Sequence, residues 1–200
     1  MTEKEMIKVI KVPEQIKVEV IDDNTLELKS DKGSLKRTFK SHRLKISHKG
    51  EHITLEGAPS TKQTKALIES VTAHIRNMVE GLLFGYKIKL KICYSHFPMT
   101  AMVEGERLKI KNFTGEKDFR YAKIVPGAKV EVKAQEITIT GIDKEVVGQT
   151  AGNMELATKV RGGKDIRRLQ DGIFVTEREY KHKGSEELLK VESEKVVEVQ

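Results

Sequence analysis

The chain of 200 residues repeats itself, and this repetition constrains its fold more than any other feature. Residues 51–57 read Glu-His-Ile-Thr-Leu-Glu-Gly, and residues 135–141 read Gln-Glu-Ile-Thr-Ile-Thr-Gly. Gly141, which ends the second segment, follows Gly57, which ends the first, by 84 residues. That spacing is too long for a solenoid repeat and matches the size of a small domain. The repetition therefore predicts two tandem copies of one module.

The first copy combines short strand patterns with one helix pattern. Apolar residues between positions 67 and 82 recur at helical spacing, which predicts an amphipathic helix of about 22 residues. Ser60 followed by Gln63 is typical of a capping box at the start of this helix, and Gly85 is typical of a C-terminal cap. Short β-rich segments predict strands at 7–12, 16–21, 26–29, 35–39, 44–46 and 52–56.

The second copy shows the same kinds of pattern. Apolar residues alternate with three lysines over residues 86–94, which predicts a strand with a solvated lysine face. Asp143 is a typical N-cap of a helix that we expect to run to about Val160. Gly148 and Gly152 lie four residues apart in this helix, which indicates a close approach either to the sheet or to a partner surface. Further strands are predicted at 100–104, 107–111, 118–124, 128–133, 136–140 and 173–175.

These patterns predict the fold class. We expect an α+β fold made of two tandem repeats of a small, largely antiparallel β-sheet with a packed α-helix. The first repeat is predicted to cover residues 1–86 and the second residues 87–183. Residues 184–200 form an acidic C-terminal tail with five Glu and two Lys. A frayed helix and a disordered segment are both open alternatives for this tail.

The composition narrows the classes of partner. The net charge is +7 and the isoelectric point about 9.3, which favours a polyanion such as nucleic acid. No apolar run approaches the roughly 20 residues that a membrane-spanning helix needs, so a membrane partner is not expected. Cys93 is the single cysteine, which excludes an internal disulfide and fits a reducing compartment.

The positive charge is concentrated in two segments. Residues 32–49 contain seven basic residues and no acidic ones, and residues 159–168 contain five basic residues and one Asp. Glycines between basic side chains let a backbone pass close to phosphates, and arginines can hold phosphates in a fork. A solvated surface is the alternative for each segment. The candidate RNA contacts are Lys32, Lys36, Arg37, Lys40 and Arg43 in the first segment, and Lys159, Arg161, Gly162, Gly163, Lys164, Arg167 and Arg168 in the second.

Patterns that carry enzymatic chemistry are missing from the sequence. There is no phosphate-binding loop of the Gly-x-x-x-x-Gly-Lys type, and the six histidines do not have the spacing of a zinc site. Ser95 and His96 are neighbours, and neighbours on a strand point to opposite faces. We therefore expect no catalytic residues, no metal, no cofactor and no small-molecule substrate.

Several longer segments carry a specific family pattern. They are residues 32–39, 75–81, 95–98, 110–117, 141–149 and 165–173. Together they resemble the universal large-subunit ribosomal protein L-six family, called L-nine in eukaryotic naming. Asn-Phe-Thr-Gly-Glu-Lys at 112–117 and Asp-Ile-Arg at 165–167 resemble its archaeal/eukaryotic branch. The resemblance covers nearly the whole chain.

The resemblance implies a function. Members fold as two similar α+β domains, have no catalytic activity and bind large-subunit rRNA, mainly through the C-terminal domain. The binding region lies near the sarcin–ricin loop and the docking region of translational GTPases. On this chain the matching basic segment runs from Lys159 to Arg168, with Gln149 and Asn153 on the matching helix as weaker candidates. Gly152 stands where the family often has Ala.

Partners and location follow from the same resemblance. The implied partners are large-subunit rRNA and neighbouring large-subunit ribosomal proteins, with translational GTPases as candidates. The implied location is the cytoplasmic ribosome, with assembly in the nucleolus if the source is eukaryotic. Three alternatives stay open: a free RNA-binding or RNA-chaperone module that acts off the ribosome, an enzyme of RNA or small-molecule metabolism, and a protein–protein adaptor.

Overall fold

The chain forms two compact units. A computed structural model describes residues 4–160, 170–179 and 191–198, with side chains over 6–160 and 170–179. The first unit contains residues 1–84 together with 181–200, and the second contains residues 85–180. The C-terminal residues therefore belong to the first unit, although the sequence analysis treats them as a separate tail.

The first unit consists of two antiparallel sheets and one helix. Its elements are β1 (Lys4–Lys11), β2 (Lys17–Asp22), β3 (Thr25–Ser30), β4 (Gly33–Thr38), β5 (Leu44–Lys49), β6 (His52–Gly57), α1 (Lys62–Leu83) and the C-terminal strand β14 (Val191–Glu198). The larger sheet has the strand order β14-β1-β6-β5, and the smaller has the order β2-β3-β4.

The second unit repeats this arrangement. Its elements are β7 (Tyr86–Cys93), β8 (Thr100–Glu104), β9 (Arg107–Lys111), a short 3-10 turn (Phe113–Gly115), β10 (Arg120–Lys123), β11 (Lys129–Lys133), β12 (Glu136–Gly141), α2 (Lys144–Ala157) and β13 (Gly172–Glu179). The larger sheet has the order β13-β7-β12-β11, and the smaller has the order β8-β9-β10. All described pairings are antiparallel. The predicted α+β class with two tandem modules is confirmed.

The last strand is not predicted by the composition of the C-terminal tail. Residues 191–198 form neither a helix nor a disordered segment but the strand β14, which pairs antiparallel with β1 from Lys4 opposite Glu198 to Ile10 opposite Val191. It occupies beside β1 the place that β13 occupies beside β7. This strand depends on main-chain pairing with a distant segment, and the charged sequence of the tail itself contains no sign of that partner.

Helix α1 has the predicted length of 22 residues, but its first cap differs. The N-cap is Thr61, whose side-chain oxygen accepts a hydrogen bond from the Thr64 amide at 3.2 Å. The predicted capping box at Ser60 is therefore wrong by one residue, because Thr61 has the extended backbone that an N-cap requires. Gly85 follows the C-cap residue with a φ of +80°, as expected for a helix end.

Helix α2 confirms its predicted N-cap, ends near the predicted position and excludes the sheet as the reason for Gly152. Asp143 is the N-cap, and its carboxylate accepts from the Glu145 amide at 2.8 Å. The helix ends at Ala157, three residues before the predicted Val160. A side chain at Gly152 would meet no atom within 4 Å, so this glycine does not allow close packing on the sheet. The buried positions of α2 are instead Val147, Thr150, Ala151 and Met154.

The glycines of the repeated segment lie where the helix of each unit contacts the end of a strand of the larger sheet. A Cβ added at Gly57 would lie 2.6 Å from Thr64 Cγ2 and 2.8 Å from Ile68 Cδ1. A Cβ added at Gly141 would lie 2.8 Å from Val147 Cγ2 and 3.2 Å from the carbonyl oxygen of Gly127. Contacts of a Cβ below 3.0 Å are too short for non-bonded carbon atoms, so a larger residue at either position requires the helix side chains that it meets to move. The repeated sequence therefore reflects one packing requirement that both units share.

We predict that Gly141→Ala lowers the free energy of unfolding by about 1–3 kcal/mol, because the new methyl group overpacks the contact with Val147. Urea unfolding followed by far-UV circular dichroism measures the change. Gly152→Ala is the matched control, because its methyl group would enter open space within α2. This control should stabilise the protein by about 0.5–1 kcal/mol. Equal effects from both substitutions would contradict the packing explanation.

Candidate nucleic-acid interface

The C-terminal end of α2 leads into the basic segment 159–168, and one buried threonine holds this end in place. Thr158 is the C-cap of the helix and is 3% exposed. Its hydroxyl accepts a hydrogen bond from the Ile173 amide at 2.9 Å and lies 3.3 Å from the Met154 carbonyl oxygen. This contact joins the helix end to the first residues of β13. Lys159 is exposed and follows directly, so the first predicted RNA contact starts from a fixed point.

An arginine holds the same helix end from the other side. The Arg120 guanidinium donates to both carboxylate oxygens of Glu116, at 2.8 and 2.7 Å, and to the Ala157 carbonyl oxygen at 3.0 Å. It also lies 4.2 Å from the centroid of the Phe113 ring. A cation beside the last carbonyl groups of a helix is favourable because these groups carry partial negative charge. Arg120 is thus a structural cation that positions the segment beginning at Lys159.

A groove of about 830 Å³ opens beside this helix end. Leu156 and Phe174, which are 54% and 46% exposed, contribute apolar surface to it. Gly152 also lines the groove, where its missing side chain leaves the helix backbone accessible. Of the two explanations for this glycine, the surface for a partner is therefore the one that agrees with the geometry.

Most of the predicted contacts in the second basic segment lie outside the described residues. Lys159 is the exception, and it makes no ion pair within the described part of the chain. The residues that lie outside are Arg161, Gly162, Gly163, Lys164, Arg167 and Arg168.

The two polar candidates on α2 contact each other. Gln149 Nε2 donates to Asn153 Oδ1 at 2.9 Å, and Asn153 Nδ2 donates to the Lys123 carbonyl oxygen at 2.9 Å. Both groups of the Asn153 amide are therefore engaged within the unit, where they join α2 to the end of β10. Gln149 is exposed and keeps a side-chain oxygen for a partner.

In the first basic segment, some side chains make contacts within the unit and others point to solvent. Lys32 donates from Nζ to the Leu83 carbonyl oxygen at the end of α1. Arg43 donates to Gln63 Oε1 at 3.1 Å, and the Arg37 guanidinium lies 5.7 Å from the centroid of the Phe39 ring. Lys36 and Lys40 are exposed and form no ion pair among the described residues. Two of the five candidates are thus directed entirely to solvent.

The lysine face of β7 is largely neutralised. Lys89 lies 2.7 Å from Glu177 and 3.5 Å from Glu179, and Lys87 lies 3.9 Å from Glu179. The hydrogen bond between Lys89 and Glu177 raises the pKa of Lys89 and lowers the pKa of Glu177. Both groups are solvent-exposed, so the stability that they contribute is small. This agrees with the prediction of a solvated strand face.

Sequence reasoning did not single out Thr158, Arg120 and Glu116 as positioning residues. Glu116 belongs to the segment 112–117 that carries the family resemblance, and it precedes Arg120 by four residues. The contact of Arg120 with α2 depends on the tertiary fold and has no local signal. Within the described residues, no cluster of His, Cys, Asp and Glu could hold a metal ion. None of the helices described is both long and apolar enough to cross a membrane.

Comparison with known proteins gives a family for both units. The family model described as "Ribosomal protein L6" matches residues 12–85 and 97–168. A protein of Aeropyrum pernix named large ribosomal subunit protein uL6 is 42% identical over 175 residues, which cover 87% of this chain and 95% of that protein. Proteins with the same name from Methanosphaera stadtmanae and Methanosarcina mazei are 41% and 39% identical, covering 87% and 88% of this chain and 94% and 98% of theirs.

We predict that Arg120→Met destabilises the protein by about 2–3 kcal/mol, because Glu116 and the end of α2 lose a charged hydrogen-bond donor. Thermal and urea unfolding measure this loss. Lys133→Met is the control, since Lys133 is exposed on β11 and its replacement should change the stability by no more than about 0.5 kcal/mol. If Arg120→Met unfolded like the control, Arg120 would have no positioning role.

Proposed function

The chain belongs to the ribosomal protein L6 family, and from this membership we propose that it is a structural constituent of the large ribosomal subunit that binds large-subunit rRNA. The observation that carries the proposal is the match of both units to the family, together with relatives named as large-subunit proteins that align over 94% to 98% of their length. The protein is non-enzymatic, as the family is.

The charge distribution agrees with an RNA partner. The excess of seven positive charges suits a polyanion, and phosphate contacts dominate the affinity of proteins for nucleic acids. Binding through phosphates and backbone shape requires no catalytic group and no cofactor. The chain thus contributes lysines, arginines and exposed main chain, and the rRNA supplies the complementary surface.

The second unit is the proposed main RNA-binding side. Its contact begins at Lys159 and continues through the predicted residues 161–168. Thr158 and Arg120 fix the end of α2, from which this segment starts. The groove beside Gly152 offers room for a nucleic-acid backbone next to α2. In line with the family resemblance, the proposed neighbours are the sarcin–ricin loop and the GTPase docking region.

The first unit is the proposed secondary contact. Lys36 and Lys40 are directed to solvent, whereas Lys32 and Arg43 are bonded within the unit. We assign this surface to rRNA or to a neighbouring large-subunit protein, which are the partners that ribosomal assembly provides. The cytoplasmic ribosome is the corresponding location, and nucleolar assembly applies only if the source is eukaryotic.

Sedimentation of the tagged chain tests the proposal. We expect the chain to migrate with the large subunit on a sucrose gradient and to stay bound in high salt, as an integral ribosomal protein does. A free RNA-binding or RNA-chaperone module would migrate in light fractions or dissociate at modest salt. That second result would refute the ribosomal role and leave RNA binding alone.

Replacement of Lys159, Arg167 and Arg168 by Gln tests the main contact. We expect weaker binding to large-subunit rRNA and a flatter dependence of log K on log salt, by about 0.7–0.9 for each lost phosphate contact. Filter binding at several salt concentrations measures both quantities. The control is Lys36→Gln with Lys40→Gln, which should change the slope less. A larger effect from this control would move the main contact to the first unit.

A further inference from the structure

The small sheet of the second unit has an exposed face that the proposed contact does not include. Leu108, Ile110 and Ala122 point into the core, so the residues that alternate with them point outward. The outward residues are Thr100, Met102 and Glu104 on β8, Arg107, Lys109 and Lys111 on β9, and Tyr121 and Lys123 on β10. We call these residues, with Phe119, the aromatic–basic face.

Two exposed aromatic rings lie on the β10 side of this face. Tyr121 is opposite Lys109, which in turn is opposite Met102, so the three side chains form one row across the sheet. Phe119, two residues before Tyr121, has its ring centroid 4.4 Å from Lys109 Nζ. Tyr121 and Phe119 are 48% and 45% exposed. Large aromatic side chains held at the surface beside a cation form a platform on which a planar group can stack.

Cations surround the rings. Lys109 is engaged, since it contacts Phe119 and lies 3.5 Å from Glu104. Arg107, Lys111 and Lys123 are exposed and have no ion pair within the described residues. Glu104 is the one acidic side chain on the face, and it lies at the end of β8, opposite Arg107. The face therefore carries a surplus of positive charge.

The first unit provides an internal comparison, because the same face exists there without these features. On β2, β3 and β4, Glu19, Glu27 and Lys36 occupy one row across the sheet. Lys29 lies 2.6 Å from Glu19 and 3.6 Å from Glu27. None of these three strands contains an aromatic residue. The shared fold does not require an aromatic–basic face, so its residues in the second unit need another explanation.

We propose that the aromatic–basic face binds an unpaired stretch of RNA, with bases stacked on Tyr121 and Phe119 and phosphates held by Arg107, Lys111 and Lys123. The proposal rests on the proposed RNA-binding function and adds a second site that recognises single-stranded rather than folded RNA. Exposed rings on a sheet, flanked by basic side chains, are how proteins commonly stack unpaired bases. In a duplex, the bases are stacked on each other and their faces are not available.

An RNA occupant fits the face better than a protein does. The cores of protein–protein interfaces are poor in lysine, because its charge must lose water. Here Lys109 is opposite Tyr121, its ammonium group lies over the Phe119 ring, and further basic residues flank it. Phosphates neutralise such cations, whereas the bases supply the flat apolar surface that the rings need. Both the positive charge and the flat exposed rings therefore favour RNA as the partner.

Binding of labelled RNA to the full chain tests the site. Fluorescence anisotropy compares a 10-nucleotide single strand with a duplex of the same sequence, for the parent and for Phe119→Leu with Tyr121→Leu. We expect the double variant to lose about 10-fold or more in affinity for the single strand. Its affinity for the duplex and its salt dependence should stay nearly unchanged. Tyr121→Phe keeps the ring and should bind like the parent.

Two further variants complete the test. Ile21→Ala, on the corresponding small sheet of the first unit, should leave both affinities unchanged. Lys111→Gln with Lys123→Gln should flatten the salt dependence of single-strand binding. This second double variant tests the site even if the leucine variant does not fold. Unchanged single-strand affinity in both double variants overturns the proposal. Loss of large-subunit retention with unchanged RNA affinity also overturns it, in favour of a protein partner.

The failure of the two proposals can be distinguished. If the parent binds the single strand through the rings but does not migrate with the large subunit, the ribosomal role fails and this site stands. If the parent migrates with the subunit but the aromatic replacements have no effect on RNA, the site fails and the ribosomal role stands. A parent that binds no RNA in either assay overturns both.

Discussion

The fold depends on one close contact that occurs twice, between the end of a central strand and the first turns of the helix. At Gly57 and Gly141 no side chain fits, because the helix already occupies that space. The contact brings the apolar side of α1 and α2 onto the larger sheet of each unit, where the core residues are almost fully buried. A packed helix and sheet gain most of their stability from this burial. The missing side chain at each glycine is what allows the helix to pack this closely.

The duplication extends to the edges of the larger sheets. In the second unit β13 follows α2 along the chain and covers the edge of β7. In the first unit the chain continues from α1 into β7, so the same place beside β1 is filled by β14 from the other end of the sequence. The first unit thus closes only when the two ends of the chain pair. Contacts between such distant segments form late and slowly, because a long loop must be closed first.

The sequence was informative where the signal is local. Short β-rich segments predict thirteen of the fourteen described strands, helical periodicity predicts α1, and the N-cap residue Asp143 predicts the start of α2. It failed where the determinant is distant: β14 needs β1, and Arg120 meets the Ala157 carbonyl oxygen only in the folded unit. The cap of α1 was assigned one residue early because Ser60 and Thr61 carry the same hydroxyl group, and only the backbone conformation distinguishes them.

The surface differences between the two units indicate the binding function better than the topology that they share. Their topology and their glycine contacts are shared, so these features serve the fold. In the smaller sheet of the first unit Lys29 pairs with Glu19 and Glu27, and none of its strands has an aromatic residue. In the smaller sheet of the second unit exposed rings lie near Arg107, Lys111 and Lys123, which form no ion pair within the described residues. Exposed rings and unpaired cations contribute little to stability, and a duplicated fold can lose them without harm. The exposed rings occur on the smaller sheet of one copy alone, and this is best explained by what that copy binds.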